Sequence, residues 1–449
     1  MTGKVTISEK LMEKKMLPVQ DSIYIRAGAR MIQTRLIVKA DLPGHFNVSP
    51  DLSKALHLKP GRKLQLRFDK EEGYLHIGPT IGILTNALPR RDNDAAPNSS
   101  LAEIMYLSRI AKTMAAQVFI FTPHCINWDK LTTRGYLYKP TSDNLGIWES
   151  AIYPLPDVVY DRIPSRSSEA RVLIKNTKER LMNLPFLKYF NPSFLNKWQV
   201  YKLLCMNEEL LPYLPETMVL NRENLEKMLP KYQQLFIKPA NGSLGRGIII
   251  INRHNHNKIS YTVYSRVKHH GSADSPTDFL KRTNFLRQKK AYIVQQGINL
   301  AKYHDSAFDL RIIYQKDHTG NWMISKKFVR VAARGSSISN LSRGGRAEKS
   351  KKVLTHILHR NKSLIEEKNN EIKLLCETVA CTLEKNCRKL FGELGLDIGI
   401  DNNGKLWLIE VNSKPRKTTV TESSQRIMHN TFKRPLEYAA YLAGFNNTT

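Results

Sequence analysis

The sequence predicts a mixed α/β (α+β) protein of about three domains. Three observations predict it. At 449 residues the chain is too long for one ordinary domain. Its opening part, residues 1–77, is a run of short strand-like segments. From residue 78, apolar strands alternate with helix-period segments, the pattern of a parallel sheet with crossover helices. Beyond residue 191, two apolar hairpins carry most of the candidate chemistry, one around a glycine-rich turn and one ending in Glu410-Val411-Asn412. The expected division is a small β-rich domain at 1–77, a small αβ domain at 78–190 and a larger domain at 191–449.

Composition narrows the classes. Hydrophobic residues make up 41% and charged residues 24%, as in a folded globular protein. There is no run of about 18 apolar residues, so no membrane span is expected. The opening MTGKVTISEKLMEKKM has no apolar core before a cleavage site, which predicts no secretory signal. The five cysteines, Cys125, Cys205, Cys376, Cys381 and Cys387, are odd in number and form no CxxC pair, so a reduced cytoplasmic setting with core cysteines is expected. A formal charge of +30 favours polyanionic neighbours, such as a nucleotide phosphate, an acidic peptide or a wall polymer. No zinc-finger spacing or aromatic-glycine RNA signature accompanies it, so specific nucleic-acid binding is disfavoured.

In the first 77 residues, SIYIRAG, TRLIVKA and KLQLRF have strand composition, and Val48 to Gly78 reads as a short helix, a turn and a hairpin. Ile81 to Thr85 is a short buried-type strand. Ser100-x-x-Glu103 makes a capping box ahead of Ile104, Leu107, Ile110 and Met114 on one helical face, and Val118 to Phe121 is the next strand. This βαβ beginning suggests a doubly wound domain. Gly82 stands alone, too little glycine for a dinucleotide fingerprint. Further strands fill Arg134 to Asp161.

The third region opens with a helix carrying Lys197, and Pro212 and Pro215 lead into an extended segment. QLFIKPANGSLGRGIIIIN then sets two apolar strands around Gly242, Ser243, Gly245 and Gly247. Small residues there let backbone N–H groups approach phosphate oxygens, and Lys238 leaves the first strand as a point charge. No Gly-Lys-Ser/Thr follows, so this is not a Walker loop. The four histidines at 254, 256, 269 and 270 have no metal-like spacing. The strand Ala291 to Ile298 ends in Gln295-Gln296, where backbone groups could read a base edge. Phe308 to Ile313 puts Asp309 and Arg311 on one face. Arg330 follows on another strand, and arginine suits charge developing on a transferring phosphoryl group. A long helix is expected from Ser363, capped by Ser363-x-x-Glu366, to Leu390, ended by Gly392. It delivers the hairpin Leu396 to Pro415, turned at Asp401-Asn402-Asn403-Gly404. Asp397, Glu410 and Asn412 can converge on one face there, and two carboxylates with an amide oxygen suit a hard cation such as magnesium.

The order Lys197, Lys238-Pro239, GSLGRG, VQQGI, DLRI, Arg330, Asn340 with Gly344-Gly345, Asp397 and Glu410-Val411-Asn412 resembles the ATP-grasp fold. The preceding αβ part is similar to its Rossmann-like pre-grasp domain. More closely, the chain resembles the YheC/YheD-type endospore coat-associated family. The resemblance implies a nucleotide between two lobes, with Lys197 and Lys238 on its phosphates, the glycine loop closing over them, and Gln295, Gln296 and Ile298 at the adenine. An acidic residue is common where Gln295-Gln296 stand. Asp397, Glu410 and Asn412 are implied as Mg2+ ligands, and Arg311, Arg330 and Asn340 as the groups acting on the acceptor. The implied activity is an ATP-dependent carboxylate–amine ligase working through an acyl phosphate, on an acidic small molecule, peptide or wall polymer. The alternatives are an ATP-grasp kinase and a non-catalytic coat scaffold. The family also implies cytoplasmic synthesis, association with the spore coat and other coat proteins as partners.

Overall fold

The computed structural model describes residues 1–40, 42, 46–88, 99–139, 146–242, 246–254, 258–265, 268–287, 290–333, 344–417 and 425–445. Four sheets, of six, seven, six and six strands, follow one another along the chain. The mixed α/β class expected from the sequence is what the chain adopts.

The first sheet lies between Lys4 and Gly78. The helix Pro50–Ala55 and the hairpin of Gln65–Asp69 with Tyr74–Gly78 stand where the turn residues place them. Two parallel pairings, Lys4–Ser8 with Arg30–Lys39 and Ser22–Ala27 with Tyr74–Gly78, are long-range and have no local signal. Arg26 and His76 of this sheet meet Asp157 of the second, at 3.1 and 2.9 Å.

The second sheet is built on the parallel strands Gln117–Phe121, Thr80–Leu84, Val158–Asp161 and Lys188–Phe190, in that spatial order. The helix Ser100–Ala111 is the crossover between the first two in sequence. Its cap is Ser99, one residue before the expected Ser100: the Ser99 hydroxyl accepts the Ala102 amide at 3.1 Å. Glu103 does not reach back to the cap. It is buried and ion-paired with Arg162, because the helix turns that position toward the core.

In the third sheet Gln234–Pro239 and Ile248–Arg253 form the hairpin around the glycine-rich turn, and Tyr292–Gln296 lies between Gln234–Pro239 and the short strand Thr217–Val219. The fourth sheet is antiparallel throughout, with the spatial order Arg346–Lys349, Trp322–Val331, Ser306–Lys316, Glu393–Ile400, Leu406–Asn412. The helix Lys362–Cys387 buries Ile372, Leu375, Val379 and Leu383 against one face of it. Its ends differ from expectation. Asn361, not Ser363, accepts the Leu364 amide at 3.2 Å, and Arg388 ends the helix in the left-handed conformation with φ 50°. Gly392 serves packing instead, since a Cβ there would lie 2.7 Å from ring atoms of Phe190 and Tyr438.

The other face of the fourth sheet meets the second sheet and the final helix, Gln425–Leu442. Between them lies a charge network closed to water. Lys417 donates to Glu393 at 2.9 Å and to the Tyr160 hydroxyl at 2.6 Å, and Arg162 bridges Glu393 at 2.7 Å to Glu103. Lys414 reaches Asp161 and Glu169, both at 2.6 Å, and Lys178 holds the same pair at 2.8 and 2.9 Å. Burial alone would raise the Glu393 carboxyl; Lys417 and Arg162 outweigh it and hold the group below its ordinary value.

Charge is unevenly spread. Residues 191–360 hold 29 Lys and Arg against 11 Asp and Glu, a surplus of 18 out of the chain's 30. Among the described residues no helix is long and apolar enough to cross a membrane.

Removing one cation from the closed network tests its weight. Lys417→Met is expected to cost about 3–5 kcal/mol, because it leaves Glu393 short of a partner in a dry site. The readout is the chemical-denaturation midpoint, and an unchanged midpoint would refute the assignment.

Candidate functional site

The site grows from the first residue of a helix. Asn196 caps Lys197–Leu204 by accepting the Trp198 and Gln199 amides at 3.0 and 3.1 Å, which fixes the direction in which Lys197 leaves the backbone. The Lys197 ammonium donates to the Gly242 carbonyl at 2.8 Å and to Glu410 Oε1 at 3.1 Å. Lys238 comes off Gln234–Pro239 into the same space and donates to Gln295 Oε1 at 2.5 Å. These four side chains line a cleft whose apolar wall includes Leu204, Ile293 and Ile409. Burial pushes the Lys238 ammonium down to about 8, against the pull of Glu410.

Both described ends of the glycine-rich turn are tightly packed. Gly247 has φ +74°, and a Cβ there would lie 3.0 Å from the Tyr292 hydroxyl and 3.3 Å from Pro239, so both backbone and space call for glycine. Gly242 sits against Pro239, where a Cβ would come within 3.0 Å. Ser243 and Gly245 lie outside the described residues.

The expected adenine-reading strand end is more occupied than its sequence indicates. Gln295 is 8% exposed, and its amide is shared between Lys238 and the Thr217 hydroxyl, to which it donates at 2.9 Å. The Gln296 side chain turns away to accept the Glu216 amide at 3.1 Å. Its backbone N–H donates to Glu216, and that of Gly297 donates to Gln234. The strand is interior, so both its edges are taken by neighbours. Ile298 is the first residue past the paired stretch, and its carbonyl accepts the Leu300 amide at 3.0 Å.

The acidic hairpin supplies the opposite wall. Asp397 stands directly across from Glu410, and Gly395 across from Asn412. The register shifts between Asp397 and Ile398, so that Ile409 is an extra residue in its strand. Leu406, Leu408 and Val411 are buried in the core, a spacing of two and then three. Strict alternation would have put Glu410 on the core side with Leu406 and Leu408; the bulge turns it to the cleft, with Asn412 two residues on.

Arg311 lies across from Asp397 on the neighbouring strand, with Nε 3.0 Å from Asp397 Oδ1. A Cβ at Gly395 would come within 3.1 Å of Arg311 Nη1, so that glycine makes room for the guanidinium. Arg330 lies on the next strand, directly across from Asp309. It grips Asp309 through Nε and Nη2, at 2.7 and 2.6 Å, and reaches Asp397 Oδ2 at 2.9 Å. Its guanidinium is shared between the two aspartates. Asp309, two residues before Arg311 and on the same face, is the partner that alternation brings to it. Asn340 lies outside the described residues.

The two carboxylates are tuned apart. Burial, the largest influence, raises the Asp397 carboxyl against the pull of Arg311 and Arg330. Burial acts on Glu410 as well, but Lys197, Arg311 and Lys238 outweigh it and hold that carboxyl low. Asp397 Oδ1 is buried and, despite the close Arg311, receives no well-aligned hydrogen bond. An anionic oxygen short of donors, opposite a second carboxylate and beside an amide, fits a hard cation. Among the described residues no three His, Cys, Asp or Glu side chains are placed to hold a metal, so such a cation would depend on Asn412 and on ligand oxygens to fill its shell.

Residues 187–442 match the family described as "YheC/D like ATP-grasp". The chain belongs to this family. It is 30% identical over 379 residues to the Bacillus subtilis endospore coat-associated protein YheD, covering 82% of this chain and 80% of that one. It is 25% identical over 346 residues to the endospore coat-associated protein YheC of the same organism, covering 75% of this chain and 91% of that one. Among solved structures it is similar to D-alanyl-alanine synthetase A of Vibrio cholerae, with 14% identity, a TM-score of 0.48 and coverage of 83% and 100% of the two chains.

The arginine clamp can be tested without any ligand. Arg330→Gln leaves Asp309 and Asp397 buried without their shared cation and is expected to lower stability by about 3–5 kcal/mol. Arg330→Lys should recover only part of this, because an ammonium cannot hold Asp309 through two parallel bonds. Equal thermal midpoints for Lys and wild type would remove the bidentate argument.

Proposed function

We propose that this ATP-grasp protein is an ATP- and Mg2+-dependent ligase that joins a carboxylate to an amine through an acyl phosphate. The observation that carries the reading is the convergence of Lys197, Lys238 and Glu410 on one cleft, with Asp397 and Arg311 directly behind Glu410. Lys197 and Lys238 would bind the nucleotide phosphates, and the turn from Gly242 to Gly247 would cover them. The expected loop contacts at Ser243 and Gly245, and the contacts of Gln295, Gln296 and Ile298 with the base, belong to the same proposal. Asp397, Glu410 and Asn412 would hold magnesium, which when bound neutralises phosphate charge and orients the transferring group. Arg311 reaches the space beside Gly395, where an acceptor carboxylate and the phosphate it receives would lie; Arg330 keeps Asp397 in place for this. Asn340 would act from the acceptor side. The excess of cations in residues 191–360 suits an acidic acceptor, whether a small molecule, a peptide or a wall polymer.

A second reading is favoured by the names of the two relatives, both called endospore coat-associated. In it the protein is made in the cytoplasm and joins the spore coat as an ATP-binding scaffold among other coat proteins. The two readings separate on one variant. In a ligase, Glu410→Gln should cut acceptor-dependent ADP release by about 100-fold or more, and hydroxylamine should trap the acyl phosphate in the wild type. In a scaffold, Glu410→Gln keeps the biological role. Stable transfer of labelled phosphate to a hydroxyl, with nothing for hydroxylamine to trap, would instead indicate a kinase.

The lysine in the cleft sets a pH dependence. Phosphate favours the charged form of Lys238, whose ammonium is lowered to about 8 in the free protein. Below that pH the proton is already present; above it, binding must take one up. ATP affinity is therefore expected to fall as pH rises past 8, at a rate approaching about tenfold per unit. Calorimetry from pH 7 to 9.5 reads this directly. Lys238→Arg should flatten the profile, and a wild-type profile that is already flat would contradict the assignment.

A further inference from the structure

Past the second sheet's strand Val158–Asp161 the chain carries Arg166, at the start of the short helix Arg166–Glu169. The sheet's strand Thr80–Leu84 is followed through a crossover helix by Gln117–Phe121 on one side, whereas Val158–Asp161 lies on its other side. The strand order therefore reverses between Thr80–Leu84 and Val158–Asp161. In open parallel sheets the carboxyl ends at such a reversal form a crevice suited to ligands. Here the two strands run on into Thr85-Asn86 and into Arg162 to Ser168, and Asn86 spans the gap by donating to the Ser168 hydroxyl at 3.3 Å. Ser165 and Arg166 are half-buried at this mouth.

Arg166 is held from below and open above. Its Nη2 donates to the Leu195 carbonyl at 2.6 Å, and its guanidinium lies over the Phe194 ring at 5.0 Å. The ammonium of Lys414 lies 5.1 Å from the centre of the same ring. Leu195 is two residues before Lys197, which itself pairs with Glu410. Among the described residues the Leu195 carbonyl is the one hydrogen-bond partner of the Arg166 guanidinium, and it takes one Nη2 hydrogen; the other, paired with either Nη1 or Nε, leaves one two-donor edge for a ligand. The attraction of Glu410 reaches this guanidinium and partly offsets the lowering caused by burial.

We propose that Arg166 anchors a carboxylate of the acceptor at the crevice between Thr80–Leu84 and Val158–Asp161, presenting the rest of that molecule to Asp397, Glu410 and Arg311. The proposal rests on the ligase reading of the cleft and gives it a substrate class: an acceptor with a free carboxylate besides its reacting group. Two planar donors of a guanidinium match the two oxygens of a carboxylate, and the ring beneath keeps the plane fixed. Both a free amino acid and an acidic peptide carry this group.

The test is calorimetric binding to the full-length protein saturated with Mg2+ and a non-hydrolysable ATP analogue, with L-glutamate and tri-glutamate as separate probes. Wild type should bind at least one of them, and which one is bound distinguishes the free amino acid from the peptide. Arg166→Gln should weaken that binding by about tenfold or more, and Arg166→Lys by less, with analogue affinity within about twofold of wild type and an unchanged thermal midpoint. The proposal is overturned if wild type binds neither probe, if Arg166→Gln binds as tightly as wild type, or if Arg166→Gln weakens the analogue as much as the probe. Probe binding that is sensitive to Arg166 but never accompanied by ADP release when ATP replaces the analogue would sink the ligase reading and leave the anchor standing.

Discussion

The closed charge network between the second and fourth sheets is the constraint on which the site depends. Four cations, Arg162, Lys178, Lys414 and Lys417, meet four anions, Glu103, Asp161, Glu169 and Glu393, in a space where all but Glu169 are buried. Each ion loses several kcal/mol of solvation on burial, so the pairs return little net stability. What they return is position, because a charge in such a space has very few places where its cost is met. Lys414 and Lys417 follow directly on the strand Leu406–Asn412. Anchoring them fixes the end of the strand that carries Glu410 and Asn412.

The same logic, on a smaller scale, shapes the cleft. Arg330 is held by Asp309 and in turn holds Asp397, while Lys197 holds Glu410 from the start of the helix Lys197–Leu204. The carboxylates are therefore posed by cations from different elements, Asp397 by arginines on neighbouring strands and Glu410 by a lysine at a helix start. Desolvation acts on both; the balance of neighbouring cations gives them opposite titration behaviour. Such a pair can present one firmly ionised oxygen set and one that gains from a further positive neighbour.

Much of this was legible in the chain itself. Glycines at 242 and 247, a lysine at a strand end and an acidic hairpin after a long amphipathic helix are local signals, and each landed on the element its spacing indicates. The misses have physical causes. Helix ends shifted by one or two residues because Asn361 and Ser99 compete for the cap with nearby serines that are equally suited in sequence. The bonds of the Gln295 and Gln296 side chains to Thr217 and Glu216 are long-range, and no local pattern shows that the strand is interior. Arg166 escaped notice because its neighbours are Phe194 and Leu195, and only the packed chain joins 166 to 195. Lys414 and Lys417 read as ordinary basic residues after a strand, and nothing in that segment announces the four carboxylates around them.

The extra residue at Ile409 has a consequence for how such a chain can change over time. Side chains on either side of it face opposite ways, so faces in this strand are assigned by counting rather than by residue type. Losing or gaining a single residue between Leu408 and Glu410 would exchange the lining of the cleft with the lining of the core in one step, even if every remaining amino acid stayed the same. The exposed turn at Asn402 to Gly404 lies outside that count and can vary in length while the strands keep their pairing. Variation in this hairpin should therefore accumulate as changes of length at its tip and changes of identity in its strands, with the spacing from Leu406 to Asn412 kept fixed.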